Sequence, residues 1–74
     1  MNVILEQRWR DAINDRLAEL GWSRSEFARR LGVSPQYVTN YLNGRNQPGS
    51  DVMEHWAATC GLEIDMTFHV RQTA

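Results

Sequence analysis

The chain has 74 residues, 42% of them hydrophobic and 23% charged, with a formal net charge of −1. That length holds one domain near the lower limit at which a single apolar core offsets chain entropy, and the composition excludes a disordered or membrane-embedded chain. No run reaches the roughly 20 apolar residues of a bilayer span, and the start, MNVILEQRWR, turns charged too early for a signal peptide, so a cytoplasmic protein without a membrane partner is expected.

From Leu5 the apolar residues Leu5, Trp9, Ala12, Ile13, Leu17 and Leu20 recur at helical spacings, with Glu6, Arg10, Asp11, Asp15 and Glu19 between them. This predicts an amphipathic first helix ending at Gly21. Ser23 and Glu26 then have the spacing of a capping box, and Trp22 and Phe27 that of a hydrophobic staple. A second helix is predicted from Arg24, with Phe27, Ala28 and Leu31 inward, stopping at Gly32.

Ser34 is placed to cap a third helix, with Pro35 at its first position, where a missing N–H costs nothing. Its inward residues are Val38, Tyr41 and Leu42, and Asn43-Gly44 ends it. The turn-rich GRNQPGS follows, and Ser50 is expected to cap a fourth helix with Asp51 in its first turn. That helix should bury Val52, Met53, Trp56, Ala57 and Cys60 before Gly61.

After Gly61 the period changes from helical to two: Leu62, Ile64, Met66, Phe68 and Val70 alternate with Glu63, Asp65, Thr67 and His69. This predicts one half-buried strand over 62–70. A lone apolar strand needs a partner for its backbone. Pairing with its own copy about a two-fold near Thr67 would set Glu63 opposite Arg71 and Asp65 opposite His69, with Ile64, Met66, Phe68 and Val70 forming a dimer interface. The alternative is a short strand at residues 2–5, NVIL, pairing with the tail inside one chain.

Charge is unevenly spread. Residues 1–22 sum to −1, residues 23–50 to +3 through Arg24, Arg29, Arg30 and Arg45 against Glu26, and residues 51–74 to −3. One surface therefore suits an anionic partner despite the net charge. Every basic residue is arginine, the residue of bidentate phosphate contacts.

The spacing of Ala28, Gly32 and Val38, with Phe27, Leu31, Val33 and Tyr41 around them, provides a small contact residue, a turn residue and an aliphatic knob for two steeply packed helices. With the caps and the Asn-Gly exit, residues 22–61 resemble a helix-turn-helix of the phage Cro and repressor (XRE-like) type. The expected fold is mainly α, a single four-helix lambda-repressor-like domain over 1–74 with its helix-turn-helix at 24–43 and a C-terminal strand pairing in a dimer.

In that family the second helix of the pair lies in the major groove of double-stranded DNA, which makes 34–43 the recognition helix here. The helical period leaves Gln36, Thr39, Asn40 and Asn43 outward and Tyr37 on the flank. Gln36 and Asn40 can each offer adenine a donor and an acceptor, with Ser34, Thr39 and Tyr37 as further base-side contacts. The resemblance implies phosphate contacts from Ser23, Arg24, Arg29, Asn43 and Arg45. The chain departs from the family pattern at Arg24, where Gln is commonest, at aromatic Tyr41, and in lacking a fifth helix, whose dimerising role the strand would take.

The implied function is a dimeric repressor reading a near-palindromic operator. Two alternatives stay open: an antitoxin that also captures a toxin, and a protein-interaction module of the same fold without DNA binding. There is no nucleophile–base set, phosphate loop, dinucleotide pattern or zinc spacing for His55 and His69 to join, so neither enzyme activity, metal nor cofactor is expected. The single cysteine, Cys60, has no disulfide partner.

Overall fold

The structure, a computed structural model, describes residues 3–63. Four helices follow one another as α1 (Val3–Leu20), α2 (Arg24–Leu31), α3 (Pro35–Leu42) and α4 (Ser50–Thr59). The short α2 and α3 pack on each other, and α1 and α4 close the core beneath them. Among the described residues there is no strand. The predicted strand and its interface residues Ile64, Met66, Phe68 and Val70 lie outside the described residues.

Residues 3–5 belong to α1, so the alternative of a strand at the N-terminus is not realised there. Glu6 in the first turn meets the positive end of the helix dipole, and the Leu5–Trp9–Ala12 spacing continues the helical stripe upward.

α2 starts as its sequence predicts in one half of the capping box. The Ser23 hydroxyl accepts from the Glu26 N–H at 3.0 Å, and the Trp22 and Phe27 rings meet at 6.4 Å between centroids. The other half is not formed, because the Glu26 carboxylate turns to Arg29 and Arg30 of its own helix. Two guanidinium groups outcompete one backbone amide for the same oxygens.

Gly32 ends α2 with φ 79°, and its N–H and that of Val33 donate to the Arg29 and Ala28 carbonyls at 3.2 and 3.0 Å. This paired closure satisfies orphan carbonyls and reverses the chain in one residue. The same pair of bonds closes α1 at Gly21–Trp22 and α4 at Gly61–Leu62.

The core holds Trp9, Ile13, Leu17, Phe27, Ala28, Val38, Leu42, Met53, Trp56 and Cys60. Trp56 sits at its centre, 5.4 Å from the Trp9 ring and 5.5 Å edge-on from that of Phe27, geometries that the ring quadrupoles favour. The buried Trp9 N–H is satisfied by the Met53 carbonyl at 3.1 Å. In α4 the stripe is Met53, Trp56, Ala57 and Cys60, a strict 0, 3, 4, 7 spacing that leaves Val52 only half-buried.

Two further expectations change. Ser50 does not cap α4: it is the first helical residue, and Gly49, extended at φ −82° and ψ 174°, holds the cap with no side-chain bond. The buried Pro48 sets the chain's approach, and glycine is tolerated at a cap. Arg10, expected on the polar face of α1, is 6% exposed. Its guanidinium reaches under the end of α3, where Nε donates to the Tyr41 carbonyl at 2.9 Å and Nη2 to the Asn46 carbonyl at 3.5 Å.

Candidate nucleic-acid interface

α3 exposes its N-terminal, polar face because Val38 and Leu42 anchor the opposite side in the core. Ser34 caps it, the hydroxyl accepting from the Tyr37 N–H at 3.2 Å, and Pro35 occupies the first turn. Gln36 is exposed one turn before the half-buried Asn40, and Thr39 is likewise half-buried.

The Gln36 Nε2 donates to Asn40 Oδ1 at 2.9 Å. The two amides predicted to face DNA are therefore joined to each other. Gln36 keeps its Oε1 and one N–H, while Asn40 keeps both N–H groups of its amide.

Tyr37 is 38% exposed, its ring 5.1 Å from Tyr41 and 6.2 Å from Trp56. The Tyr37 phenol beside it, followed by partial burial, pushes the Tyr41 hydroxyl above its ordinary pKa. Tyr41 therefore stays neutral at physiological pH. Tyr41, the aromatic departure from the family pattern, is accommodated because its ring packs edge-on against Trp56 at 5.2 Å.

The residues expected at phosphates divide into three kinds. Arg45 is exposed and its guanidinium has no partner among the described residues, while its backbone N–H donates to Asn43 Oδ1 at 3.4 Å. Ser23 is exposed but already occupied as the α2 cap, and Arg24 is exposed with a long bond from Nη2 to Asn14 Oδ1 at 3.4 Å. Arg29 is committed: its Nε donates to Glu26 Oε1 at 3.2 Å and its Nη2 to Oε2.

Glu26 holds Arg30 as well, through Nε at 2.7 Å, and the Arg30 guanidinium lies 4.1 Å over the Trp22 ring. The bonds from Arg29 hold the Glu26 carboxyl below the usual carboxylate range, and the same contact raises Arg29. The +3 segment thus contributes less free positive charge than its count implies.

Sequence reasoning missed Arg10 and Arg16 as structural residues. Arg16 Nε donates to the Cys60 carbonyl at 2.7 Å, closing the end of α4. Arg10 was legible in principle, since it stands three residues before Ile13 and seven before Leu17, on the same stripe.

These elements define a four-helix helix-turn-helix domain with an exposed, amide-bearing second helix. A family model described as Helix-turn-helix matches residues 13–66, more than half of the chain. The chain belongs to this family of DNA-binding proteins, of the Cro and repressor (XRE-like) type. It is 27% identical over 64 residues to an uncharacterized HTH-type transcriptional regulator of Archaeoglobus fulgidus. The match takes in 86% of this chain and 28% of that protein, so the chain spans under a third of its relative's length. No solved structure matches. No helix among the described residues is long and apolar enough to cross a membrane.

Proposed function

We propose that this chain is a transcription regulator that binds double-stranded DNA by sequence, with α3 in the major groove, and that it acts as a homodimeric repressor in the cytoplasm. The observation that carries the reading is the outward pair Gln36 and Asn40 on a rigidly anchored helix, next to the unengaged Arg45. Amide side chains match base edges in the major groove, and the relative of similar sequence bears the name of a transcriptional regulator.

In this reading Gln36 and Asn40 read bases, with Ser34, Thr39 and Tyr37 beside them. Ser23, Arg24, Asn43 and Arg45 hold phosphates, joined by Arg29 when Glu26 releases it. Phosphate contacts fix register and supply affinity, whereas base contacts supply selectivity. The alternating segment 62–70 supports a two-fold assembly, which would meet a near-palindrome with half-sites about 34 Å apart.

Titrating salt against binding to a duplex tests it. The logarithm of the association constant should fall linearly with the logarithm of salt, at a slope near −0.9 per neutralised phosphate. A binding constant indifferent to salt would reject DNA as the ligand.

A further inference from the structure

We infer that Arg10, a buried residue of α1, is a positioning residue for DNA binding: its guanidinium braces the exit of α3 from beneath and so fixes where Arg45 is held out to a phosphate. The inference rests on the DNA reading above and deepens it, adding to the interface a residue that is itself only 6% exposed.

The chain leaves α3 through a laced turn. The N–H of Asn43 donates to the Thr39 carbonyl at 2.9 Å, that of Gly44 to the Tyr41 carbonyl at 3.3 Å, and that of Asn46 back to the Asn40 carbonyl at 3.1 Å. Arg45 lies inside this lacing, its N–H on Asn43 Oδ1 at 3.4 Å and its guanidinium without a partner among the described residues. Arg10 donates to carbonyls on either side of it: Nε to Tyr41 at 2.9 Å and, more weakly, Nη2 to Asn46 at 3.5 Å. Between those two residues Gly44 turns the chain at φ 88°, and a methyl group there would stand 3.9 Å from the Arg10 Cζ. The turn therefore rests on the guanidinium itself.

A charge is a costly way to fill this place, because no carboxylate among the described residues pairs with it. An apolar side chain would pack the same stem but could not hold two carbonyls at a fixed separation, which the rigid planar fork of an arginine does. Connecting segments are ordinarily the mobile part of a domain. With the exit braced, Arg45 is ordered before a duplex arrives, and binding is spared the cost of ordering it.

A two-by-two cycle of Arg10→Met and Arg45→Ala tests this, with binding to a random duplex pool measured at a temperature where circular dichroism shows the variants folded. Arg10→Met should weaken binding about tenfold when Arg45 is present, the scale set by ordering one loop residue, and less than about twofold when residue 45 is already alanine. Arg10→Lys, which keeps the charge but not the fork, should show the same dependence on Arg45, and it carries the test should Arg10→Met fail to fold.

A role in stability alone lowers the folded fraction whatever stands at position 45, so equal losses in both backgrounds overturn the brace while leaving DNA binding intact. An Arg10→Lys variant that binds like the wild type overturns it as well. A wild type whose binding is indifferent to salt overturns the DNA reading, and the brace with it.

Discussion

The guanidinium of Arg10 is buried under the exit of α3, its Nε 2.9 Å from the Tyr41 carbonyl oxygen. No carboxylate among the described residues pairs with it. Its compensation is the negative end of a helix dipole and two backbone carbonyls, the sort of charge-assisted bond that contributes about 1.5–3 kcal/mol.

Arg10→Met keeps the aliphatic packing and removes the donors, so it should destabilise the domain by about 2 kcal/mol. For a chain of this size that lowers the thermal midpoint by roughly 8–16 °C. Thermal unfolding followed by circular dichroism checks it, and an unaltered midpoint would show that the buried charge contributes nothing.

Gly32→Ala should cost about 1–2 kcal/mol, although a methyl group there would meet no atom within 4 Å. The penalty is the positive φ of 79°, which a side chain resists. A urea titration should give a lower midpoint with the same slope. Gly49→Ala, extended in backbone, should show no such conformational penalty, its one close contact being with an Asp51 carboxylate oxygen 3.0 Å away on a side chain that can turn aside.

Arg45→Ala should weaken binding by a similar factor on specific and random duplexes and flatten the salt slope by about 0.9, the signature of one lost phosphate contact. A loss confined to the specific duplex would place Arg45 at a base instead.

Glu26→Gln should release Arg29 while leaving the α2 cap intact, because the capping bond uses the Glu26 backbone N–H and not its side chain. The salt slope of DNA binding should steepen, by up to about 0.9 if Arg29 reaches one phosphate. The pH dependence of stability has a definite sign. Arg29 holds the Glu26 carboxyl below its ordinary value of 4.5, so the ion pair's contribution is complete above that pH and is lost as pH falls through the lower, folded value. The difference in thermal midpoint between wild type and variant should accordingly shrink on acidification, and a difference that grows would reverse the assignment.

Cys60 is buried and its thiol donates to the Ala57 carbonyl, while desolvation pushes its pKa up. Alkylation by iodoacetamide should be slow in the folded protein and accelerate in denaturant in step with unfolding. Rapid labelling under native conditions would mean that the α4 end opens on its own.

Much of this was written plainly in the residues. Gly21, Gly32 and Gly61 mark three helix ends, Ser23 and Ser34 cap where they should, and the Ala28–Gly32–Val38 spacing gives the paired helices. What escaped was decided by competition between partners. Glu26 has two ways to satisfy its carboxylate, and the local sequence does not say that Arg29 and Arg30 prevail. Arg10 reads as polar until a carbonyl 31 residues away claims it. At the candidate interface, helical period identified which of α3's side chains face outward, but not that Gln36 and Asn40 would bond to each other, since that depends on rotamers.

The contact between Tyr37 and Trp56 gives the molecule a built-in optical gauge. One ring stands at the surface that would face a duplex, the other is 2% exposed at the centre of the core, and their centroids are 6.2 Å apart. Anything that settles on Tyr37 disturbs the surroundings of an indole that solvent barely touches. Occupancy of this face is therefore written into the emission of the unlabelled protein, with Trp9 and Trp22 as the background against which Trp56 must be resolved by substitution.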